Sequence, residues 1–285
     1  MIVPSETSTQ RPDVQSAAVK ERKLRSMMRD LGRVLVAYSG GVDSSYLAAV
    51  ANDELRQNAL CVTGISASVS EIQRRRSSNL ARQFGFNFRV VDTNELADPD
   101  YLKNGADRCF YCKDELYSVL QSISTEFGDA IILDGTNADD LTDHRPGRTA
   151  ARQRNVRSPL AETGFTKLEI RERSKALGLP TWDLPASPCL SSRIAHGVPV
   201  TIERLGKVEK AEKFLGDLGF VEYRVRVHDE LARVEISKSE MIRILNPEIL
   251  ELVESEISNL GFKYVTLDMR GFRSGSMNLD QEGAE

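Results

Sequence analysis

The stretch Arg33-Val-Leu-Val-Ala-Tyr38-Ser39-Gly40-Gly41-Val42-Asp43-Ser44-Ser45 decides the fold of this 285-residue chain. It joins a short apolar run to two glycines and then to apolar residues at helical spacing, which predicts a strand, a tight loop and a helix. Further apolar runs at 59–65, 88–91 and 130–133 each alternate with a helical pattern. This alternation predicts an α/β fold, in which a parallel sheet carries helices on both faces.

The loop Ser39–Ser45 lies where open parallel sheets bind ligands, at the carboxyl end of a strand. Its glycines let main-chain amides approach an anion, and its serine hydroxyls can donate to phosphate oxygens at the helix N-terminus. Asp43 would repel a bare phosphate, so we expect it to contact magnesium or to cap the helix. The Gly-Lys-Ser/Thr step of a Walker sequence is missing, and an ordinary Gly-Gly turn before a capped helix is the alternative.

Composition is that of an ordinary globular protein, with 40% hydrophobic and 28% charged residues. The 38 basic and 42 acidic residues give a net charge of −4, which argues against a general nucleic-acid binder. No apolar run is long enough to span a membrane, and the first residues lack a secretory signal pattern. Four cysteines do not make a disulfide framework in a chain of this size, and Cys61 is expected in the core. We expect a cytoplasmic protein with neither a membrane nor a nucleic-acid partner.

The pattern changes after the proline-containing segment 184–188. Beyond it, a helix, a hairpin turned at Asp229-Glu230, a second helix and a final strand follow in order. The sequence therefore predicts a flexible tail at 1–18, an α/β domain at 19–185, a cysteine-bearing loop at 186–197 and a smaller α+β domain at 198–285.

Two loops resemble the ATP pyrophosphatase, or PP-loop, superfamily: Ser-Gly-Gly-Val-Asp-Ser at 39–44 and Asp-Gly-Thr-Asn-Ala-Asp-Asp at 134–140. Taken alone, the second loop is a polar turn with Asx-type hydrogen bonds. The resemblance implies an adenine nucleotide α-hydrolase-like domain that cleaves ATP between the α and β phosphates. It implies magnesium at Asp43 and a role for Arg145 in neutralising the departing pyrophosphate. The implied ATP-binding residues are Ser39, Gly40, Gly41, Asp43, Ser44, Ser45, Gly135, Thr136, Asn137 and Asp140.

A narrower resemblance begins at Pro185-Ala-Ser-Pro-Cys-Leu-Ser-Ser-Arg193, which is similar to the sulfur-donor loop of the LarE family. Taken alone, Cys189 would most often be a buried apolar residue, but its serine and arginine neighbours favour a reactive thiol. The resemblance covers residues 22 to 278, nearly the whole chain. Its further matches are Arg145-Pro-Gly147, Arg224-Val-Arg-Val-His228, Ala232-Arg-Val-Glu235 and Gly271-Phe-Arg-Ser-Gly275.

The LarE resemblance implies an ATP-dependent sulfur transferase that matures the nickel-pincer nucleotide cofactor of lactate racemase. Its substrate is a pyridinium mononucleotide that bears two carboxylates. ATP adenylates a carboxylate, a thiolate attacks the acyl-adenylate, and the sulfur stays behind as a thiocarboxylate. In the sacrificial version of the reaction, the cysteine at the position of Cys189 loses its sulfur and becomes dehydroalanine.

Arg224 and Arg226 lie two residues apart on one predicted strand and therefore share a face. With Arg273 they could clamp the phosphate of the mononucleotide. Arg193 and Glu235 complete the predicted substrate contacts. A solvated pair of arginines on an edge strand is the alternative.

The motif Cys109-Phe-Tyr-Cys112 departs from the single-cysteine members of the family. If it faces Cys189, three thiolates with an open fourth position suit a [4Fe–4S] cluster, which could carry an extra sulfide for transfer. A redox or purely structural CxxC motif is the second interpretation, and zinc, with His228 or His144 as a further ligand, is the last.

Other classes of function remain open on the sequence. A tRNA-thiolating enzyme is disfavoured by the net charge of −4 and by the lack of an added RNA-binding segment. An ammonia-using synthetase would not need Cys189 and its surroundings, and a nucleotide sensor would bind ATP without releasing pyrophosphate. A sulfide or other sulfur donor and a homo-oligomeric assembly are further expectations.

Overall fold

A computed structural model describes residues 14–141 and 146–273 of the chain. The helices are α1 Val14–Leu31, α2 Val42–Leu55, α3 Glu71–Gln83, α4 Pro99–Leu102, α5 Arg108–Glu126, α6 Pro146–Gln153, α7 Pro159–Glu162, α8 Lys167–Ala176, α9 Ile202–Asp217, α10 Met241–Ile244 and α11 Pro247–Asn259. The strands are β1 Val34–Ala37, β2 Ala59–Ile65, β3 Phe88–Asp92, β4 Ile131–Leu133, β5 Tyr223–His228, β6 Leu231–Ile236 and β7 Tyr264–Leu267.

The first four strands form one parallel sheet in the order β3-β2-β1-β4. Strand β1 is central and apolar because helices cover both faces of the sheet. One face packs against side chains of α1, α2 and α8, including Met28, Tyr46 and Ile170. The other face packs against α5 through Leu120 and against α6 through Ala150. The prediction of an α/β fold with a parallel sheet is confirmed.

A smaller sheet has the order β5-β6-β7, in which β5 and β6 are antiparallel and β6 and β7 parallel. Its apolar face packs on α9, and Leu205, Leu215, Val225 and Val234 are all buried there. Tyr101, from the region before α5, belongs to the same core. The α-β-β-α-β order is as predicted, while the proposed domain limits stay predictions.

The helix that carries the CxxC motif begins earlier than the sequence pattern indicates. That pattern predicts a helix over 114–127, whereas α5 spans Arg108–Glu126 and so holds both cysteines of the motif. Arg108 is buried, and its guanidinium bonds to Asn104 and to the main chain of Ser191, which anchors the start of the helix. These partners are distant in sequence or outside the helix, so apolar periodicity could not reveal them.

Cys61 is fully buried in β2, as predicted, and burial raises the pKa of its thiol to about 12. In the described part of the chain, no helix combines the length and apolar composition needed to cross a bilayer.

Candidate active site

The loop Ser39–Ser45 is a tight connection between β1 and α2. Gly40 has a φ of +73°, and a Cβ there would lie 2.9 Å from the Cα of Ser77, so the position favours glycine. The Ser44 Oγ lies 3.0 Å from the Ser39 Oγ and donates to the Gly41 carbonyl at 3.3 Å. No side chain caps α2, so its first-turn amides, which lack intrahelical partners, are suited to an anion.

The second predicted loop, residues 134–140, packs directly on the first. A Cβ on Gly135 would lie 3.0 Å from the Ser44 amide nitrogen, so the two main chains are in contact there. Asn137 is buried, and its Oδ1 accepts from the amide of Asp140 at 3.2 Å. Thr136 is held by Asp134, which accepts its hydroxyl at 2.9 Å. The structure thus brings the two predicted ATP-binding loops together, while their contacts with ATP stay predictions.

Asp43 does not cap α2 but pairs with Lys167, whose Nζ lies 2.5 Å from Oδ2. The other oxygen, Oδ1, is buried and has no hydrogen-bond partner in the described residues. A buried carboxylate oxygen of this kind fits a contact with magnesium, which prefers oxygen ligands. No sequence pattern predicted that Lys167 would contact Asp43. Its neighbour Thr166 opens a capping box with Glu169, but that pattern places only a helix start and no partner in space.

The cysteine-bearing segment 186–197 is held from two sides. The Gln73 side chain of α3 donates to the Ser187 carbonyl at 2.6 Å. From the smaller sheet, Arg224 donates to the Ala186 carbonyl at 3.3 Å, and within the segment Arg193 donates to the Cys189 carbonyl at 2.9 Å. Cys189 is half-buried between these anchors. The segment that carries Cys189 therefore contacts both the helix that packs on the phosphate loop and the arginine-bearing sheet.

Arg224 and Arg226 lie on the same face of β5, as predicted, and the cysteine-bearing segment covers that face. Burial lowers the pKa of Arg224, and the neighbouring charge of Arg193 lowers it further. Because burial and the neighbouring arginines disfavour the charged form of Arg224, an anion bound beside it would be stabilised. We name Arg224 and Arg226 the arginine face. The predicted contact of Arg273 with the same phosphate stays a prediction.

Three of the arginines predicted to bind the substrate form ion pairs with carboxylates. Fully buried Glu235 pairs with Arg226 at 3.1 Å, and Glu212 pairs with buried Arg193 at 2.9 Å. Arg273 lies 3.5 Å from Asp268. Glu235 therefore orients Arg226. Direct substrate contacts of Arg193, Glu235 and the arginine face stay predictions.

The CxxC motif lies in the first turns of α5, with Cys109 exposed and Cys112 half-buried. Burial raises the pKa of the Cys112 thiol, and the charges of Cys189 and Glu95 raise it further. Cys112 and Cys189, 77 positions apart in the sequence, therefore lie within electrostatic reach of each other.

Within residues 14–141 and 146–273, no group of three or more His, Cys, Asp or Glu side chains is placed to hold a metal ion. The donor types suit a cluster, and the cluster stays a prediction. Arg145 and His144 lie outside the described residues.

A buried polar clamp behind Cys189 was also missed by the sequence analysis. Asn104 is fully buried, and its side-chain amide donates to the carbonyls of Ala195 at 2.8 Å and Val198 at 2.9 Å. Arg108 donates to the Ser191 carbonyl at 2.9 Å, and the Tyr101 hydroxyl lies 2.6 Å from the Ser191 Oγ. This clamp joins the approach to the CxxC helix to the cysteine-bearing segment. No sequence signal links positions so far apart.

Comparison with known proteins assigns these motifs to a family. No protein-family model matches the chain. An uncharacterized protein of Synechocystis is 43% identical over 259 residues, which cover 91% of this chain and 97% of that relative. The pyridinium-3,5-bisthiocarboxylic acid mononucleotide synthase of Lactiplantibacillus plantarum is 37% identical over 262 residues, which cover 92% of this chain and 94% of the synthase. The chain belongs to the LarE family.

A more distant relative of this LarE-family chain is one of the subunits of the glutamine-hydrolyzing GMP synthase of Thermoplasma acidophilum. It is 28% identical over 211 residues, which cover 65% of this chain and 64% of the relative. Together with the parallel sheet, this likeness supports the ATP pyrophosphatase fold. The predictions of the family, of the fold and of an enzyme are confirmed.

Proposed function

We propose that this LarE-family chain transfers sulfur to a pyridinium dicarboxylate mononucleotide, converting a carboxylate into a thiocarboxylate at the expense of ATP. The observation that carries the proposal is the position of Cys189. Its segment is held on one side by Gln73, from the helix beside the phosphate loop, and on the other by Arg224 of the arginine face. A cysteine-bearing segment in contact with both the nucleotide half and the arginine-bearing sheet meets the needs of adenylation followed by sulfur transfer.

The first half of the reaction activates the carboxylate. Its oxygen attacks the α-phosphorus of ATP, the bond to the bridging oxygen breaks, and pyrophosphate leaves. Main-chain amides at Gly40 and Gly41 and the hydroxyls of Ser39 and Ser44 are suited to bind the phosphates. Asp43 would hold magnesium, which neutralises phosphate charge when it is bound. Arg145 would meet the departing pyrophosphate.

The arginine face supports an anionic substrate. Arg224, with its lowered pKa, and Arg226, paired with Glu235, are both oriented before any ligand arrives. Prepositioned guanidinium groups bind phosphate with good geometry and at a low entropic cost. With Arg273, they would fix the mononucleotide phosphate and so direct a pyridinium carboxylate towards Cys189 and the nucleotide loop.

The second half of the reaction transfers sulfur. A sulfur nucleophile attacks the carbonyl carbon of the acyl-adenylate, a C–S bond forms, and AMP leaves. We propose that Cys109, Cys112 and Cys189 would bind a [4Fe–4S] cluster, because three cysteines leave the fourth position open for a transferable sulfide. In the described residues their side chains are not placed to hold a metal ion, so the proposal requires them to move together when the cluster binds. The electrostatic contact of Cys112 with Cys189 supports this grouping. We assign no reaction step to the cluster itself.

We further infer a cytoplasmic location, where ATP and reduced thiols coexist, and a homo-oligomer. Exposed apolar side chains in the smaller α+β region support self-association, since Val221 is 81% and Ile242 86% exposed.

The test is pyrophosphate release from ATP with and without the pyridinium dicarboxylate mononucleotide. We expect release, and formation of a thiocarboxylate, only when the mononucleotide is present, and we expect Asp43→Asn to abolish release. Lys175→Met, on the exposed side of α8, serves as the control. Release that responds to tRNA but not to the mononucleotide would reject the proposed substrate. ATP binding without any release would reject the enzymatic reaction.

A further inference from the structure

Lys167 links the two nucleotide loops through both its main chain and its side chain. It is the first residue of α8, and its amide donates to Asp139 Oδ2 at 2.7 Å. Its ammonium lies 2.5 Å from Asp43 Oδ2. The main chain is thus tied to the second loop, while the charged end of the side chain reaches into the first.

Asp43 is an unusual residue to find beside a loop built for polyphosphate, because its charge repels the ligand. In the described structure its charge is balanced by Lys167, which is 38% exposed along its side chain. One buried oxygen of this pair, Asp43 Oδ1, has no hydrogen-bond partner among the described residues. A buried carboxylate oxygen without a partner is costly, so this oxygen is suited to a further ligand.

We propose that Lys167 is a placeholder cation: it neutralises Asp43 in the nucleotide-free protein and yields Asp43 to magnesium when ATP binds. The ammonium then turns to the leaving pyrophosphate. This inference rests on the proposed use of Mg-ATP. The exchange follows from charge, because a divalent cation held by a carboxylate would repel an ammonium on the same carboxylate.

The geometry favours a short movement of the side chain. The loops are in main-chain contact at Gly135 and Ser44, so an ammonium at Asp43 already lies at their junction. Asp43 is the only partner of the ammonium among the described residues, so the side chain can turn without breaking other bonds. The main-chain bond to Asp139 keeps the start of α8 in place during this turn.

The test compares Lys167→Met, Lys167→Arg and the control Lys175→Met, whose ammonium lies over Trp182 on the same helix. Binding of Mn²⁺, used as a magnesium substitute, is measured without nucleotide by electron paramagnetic resonance of the free ion. We expect Lys167→Met to bind Mn²⁺ roughly tenfold more tightly than the wild type, because a competing charge is gone. Asp43→Asn should abolish this binding in both backgrounds. Unchanged or weaker Mn²⁺ binding by Lys167→Met would overturn the placeholder role.

The second arm measures pyrophosphate release at saturating Mg-ATP. We expect Lys167→Met to release pyrophosphate roughly 100-fold more slowly than the wild type, and Lys167→Arg to recover part of the rate. Full activity in Lys167→Met would overturn the move to pyrophosphate. If the wild type itself releases no pyrophosphate, the proposed function fails, whereas the Mn²⁺ measurement still decides whether Lys167 competes with a cation. Thermal unfolding of each variant identifies any loss that comes from misfolding.

Discussion

The Gln73 side-chain amide lies 2.6 Å from the Ser187 carbonyl oxygen and joins the nucleotide half of the protein to the cysteine-bearing segment. Gln73 lies one helical turn before Ser77, which packs against Gly40 of the phosphate loop. A change at the phosphate loop can therefore reach Cys189 through one helix face and one hydrogen bond.

Replacing Gln73 with alanine should weaken the coupling of the two half-reactions. We expect pyrophosphate release to stay near wild-type level while thiocarboxylate formation falls several-fold, since the hydrogen bond to Ser187 contributes about 1 kcal/mol. The variant also loses the capping box that Gln73 forms with Ser70, so thermal unfolding is measured beside it. The measurement is the ratio of the two products, and Gln83→Ala at the exposed end of the same helix is the control. An equal loss of both products would contradict a coupling role.

Arg224→Ala and Arg226→Ala should differ in a way that separates binding from stability. Both should lose substrate affinity by about 1.5–3 kcal/mol, because each removes a charge-assisted contact with the phosphate. Only Arg226→Ala should also lose folding stability, by about 3 kcal/mol, since it leaves fully buried Glu235 without this partner. Calorimetric titration and chemical denaturation measure the two effects.

Arg243→Ala is the matched control for these variants, because its exposed guanidinium stacks on Phe220 outside the arginine face. Unchanged substrate binding in both Arg224→Ala and Arg226→Ala would reject the phosphate clamp.

The sequence predicted the parallel sheet well because the signals were local. An apolar strand, a Gly-Gly loop and a helix occupy consecutive residues around Ser39–Ser45, and the arginines of β5 share a face by simple alternation. Lys167, Gln73 and Asn104 could not be found in this way. Each forms a hydrogen bond with a residue between 91 and 124 positions away in the sequence. Single polar side chains also leave no periodic pattern in the sequence that would predict such a bond.

Cys112 should be alkylated more slowly than exposed Cys109 at neutral pH. Because burial and the charges of Cys189 and Glu95 raise the pKa of Cys112, its thiol remains protonated, and its rate should keep rising above about pH 9. Cys189→Ala removes one of these charges and should move the Cys112 profile to lower pH. Peptide mapping by mass spectrometry follows each thiol, with buried Cys61 as the unreactive control. If Cys189→Ala leaves the pH dependence of Cys112 alkylation unchanged, Cys112 and Cys189 are not neighbours.

Acid should weaken the attachment of α1 through Glu21, which is only 7% exposed. Burial alone would raise the pKa of Glu21, but hydrogen bonds from Arg173 and Arg25 outweigh it and lower that pKa. Its contribution is therefore complete above the unfolded-state pKa of about 4.3 and is lost as the pH falls through the lower folded-state value.

We expect Glu21→Gln to cost about 2–3 kcal/mol at neutral pH, since Arg25 and Arg173 keep partial contact with solvent. The difference from the wild type should shrink below about pH 4. Denaturation across this range measures it, with exposed Glu256→Gln as the control. A difference that is constant with pH would assign the loss to packing instead of charge.

Iron content, turnover number and protein mass distinguish two possible sources of the transferred sulfur, a cluster-bound sulfide and Cys189 itself. If the three thiols hold a cluster, protein purified without oxygen contains iron, each of Cys109→Ala, Cys112→Ala and Cys189→Ala loses it, and added sulfide supports many turnovers. If Cys189 is sacrificed instead, the protein turns over once and loses about 34 Da at that residue, while Cys109→Ala and Cys112→Ala stay active. We expect the first result, because a CxxC motif together with Cys189 supplies the three thiolates that a cluster with an open fourth position needs. Cys61→Ala should keep both iron and activity, since this thiol is buried in β2 away from the site. Iron-free protein with full single-turnover activity would reject the cluster and leave Cys189 as the donor.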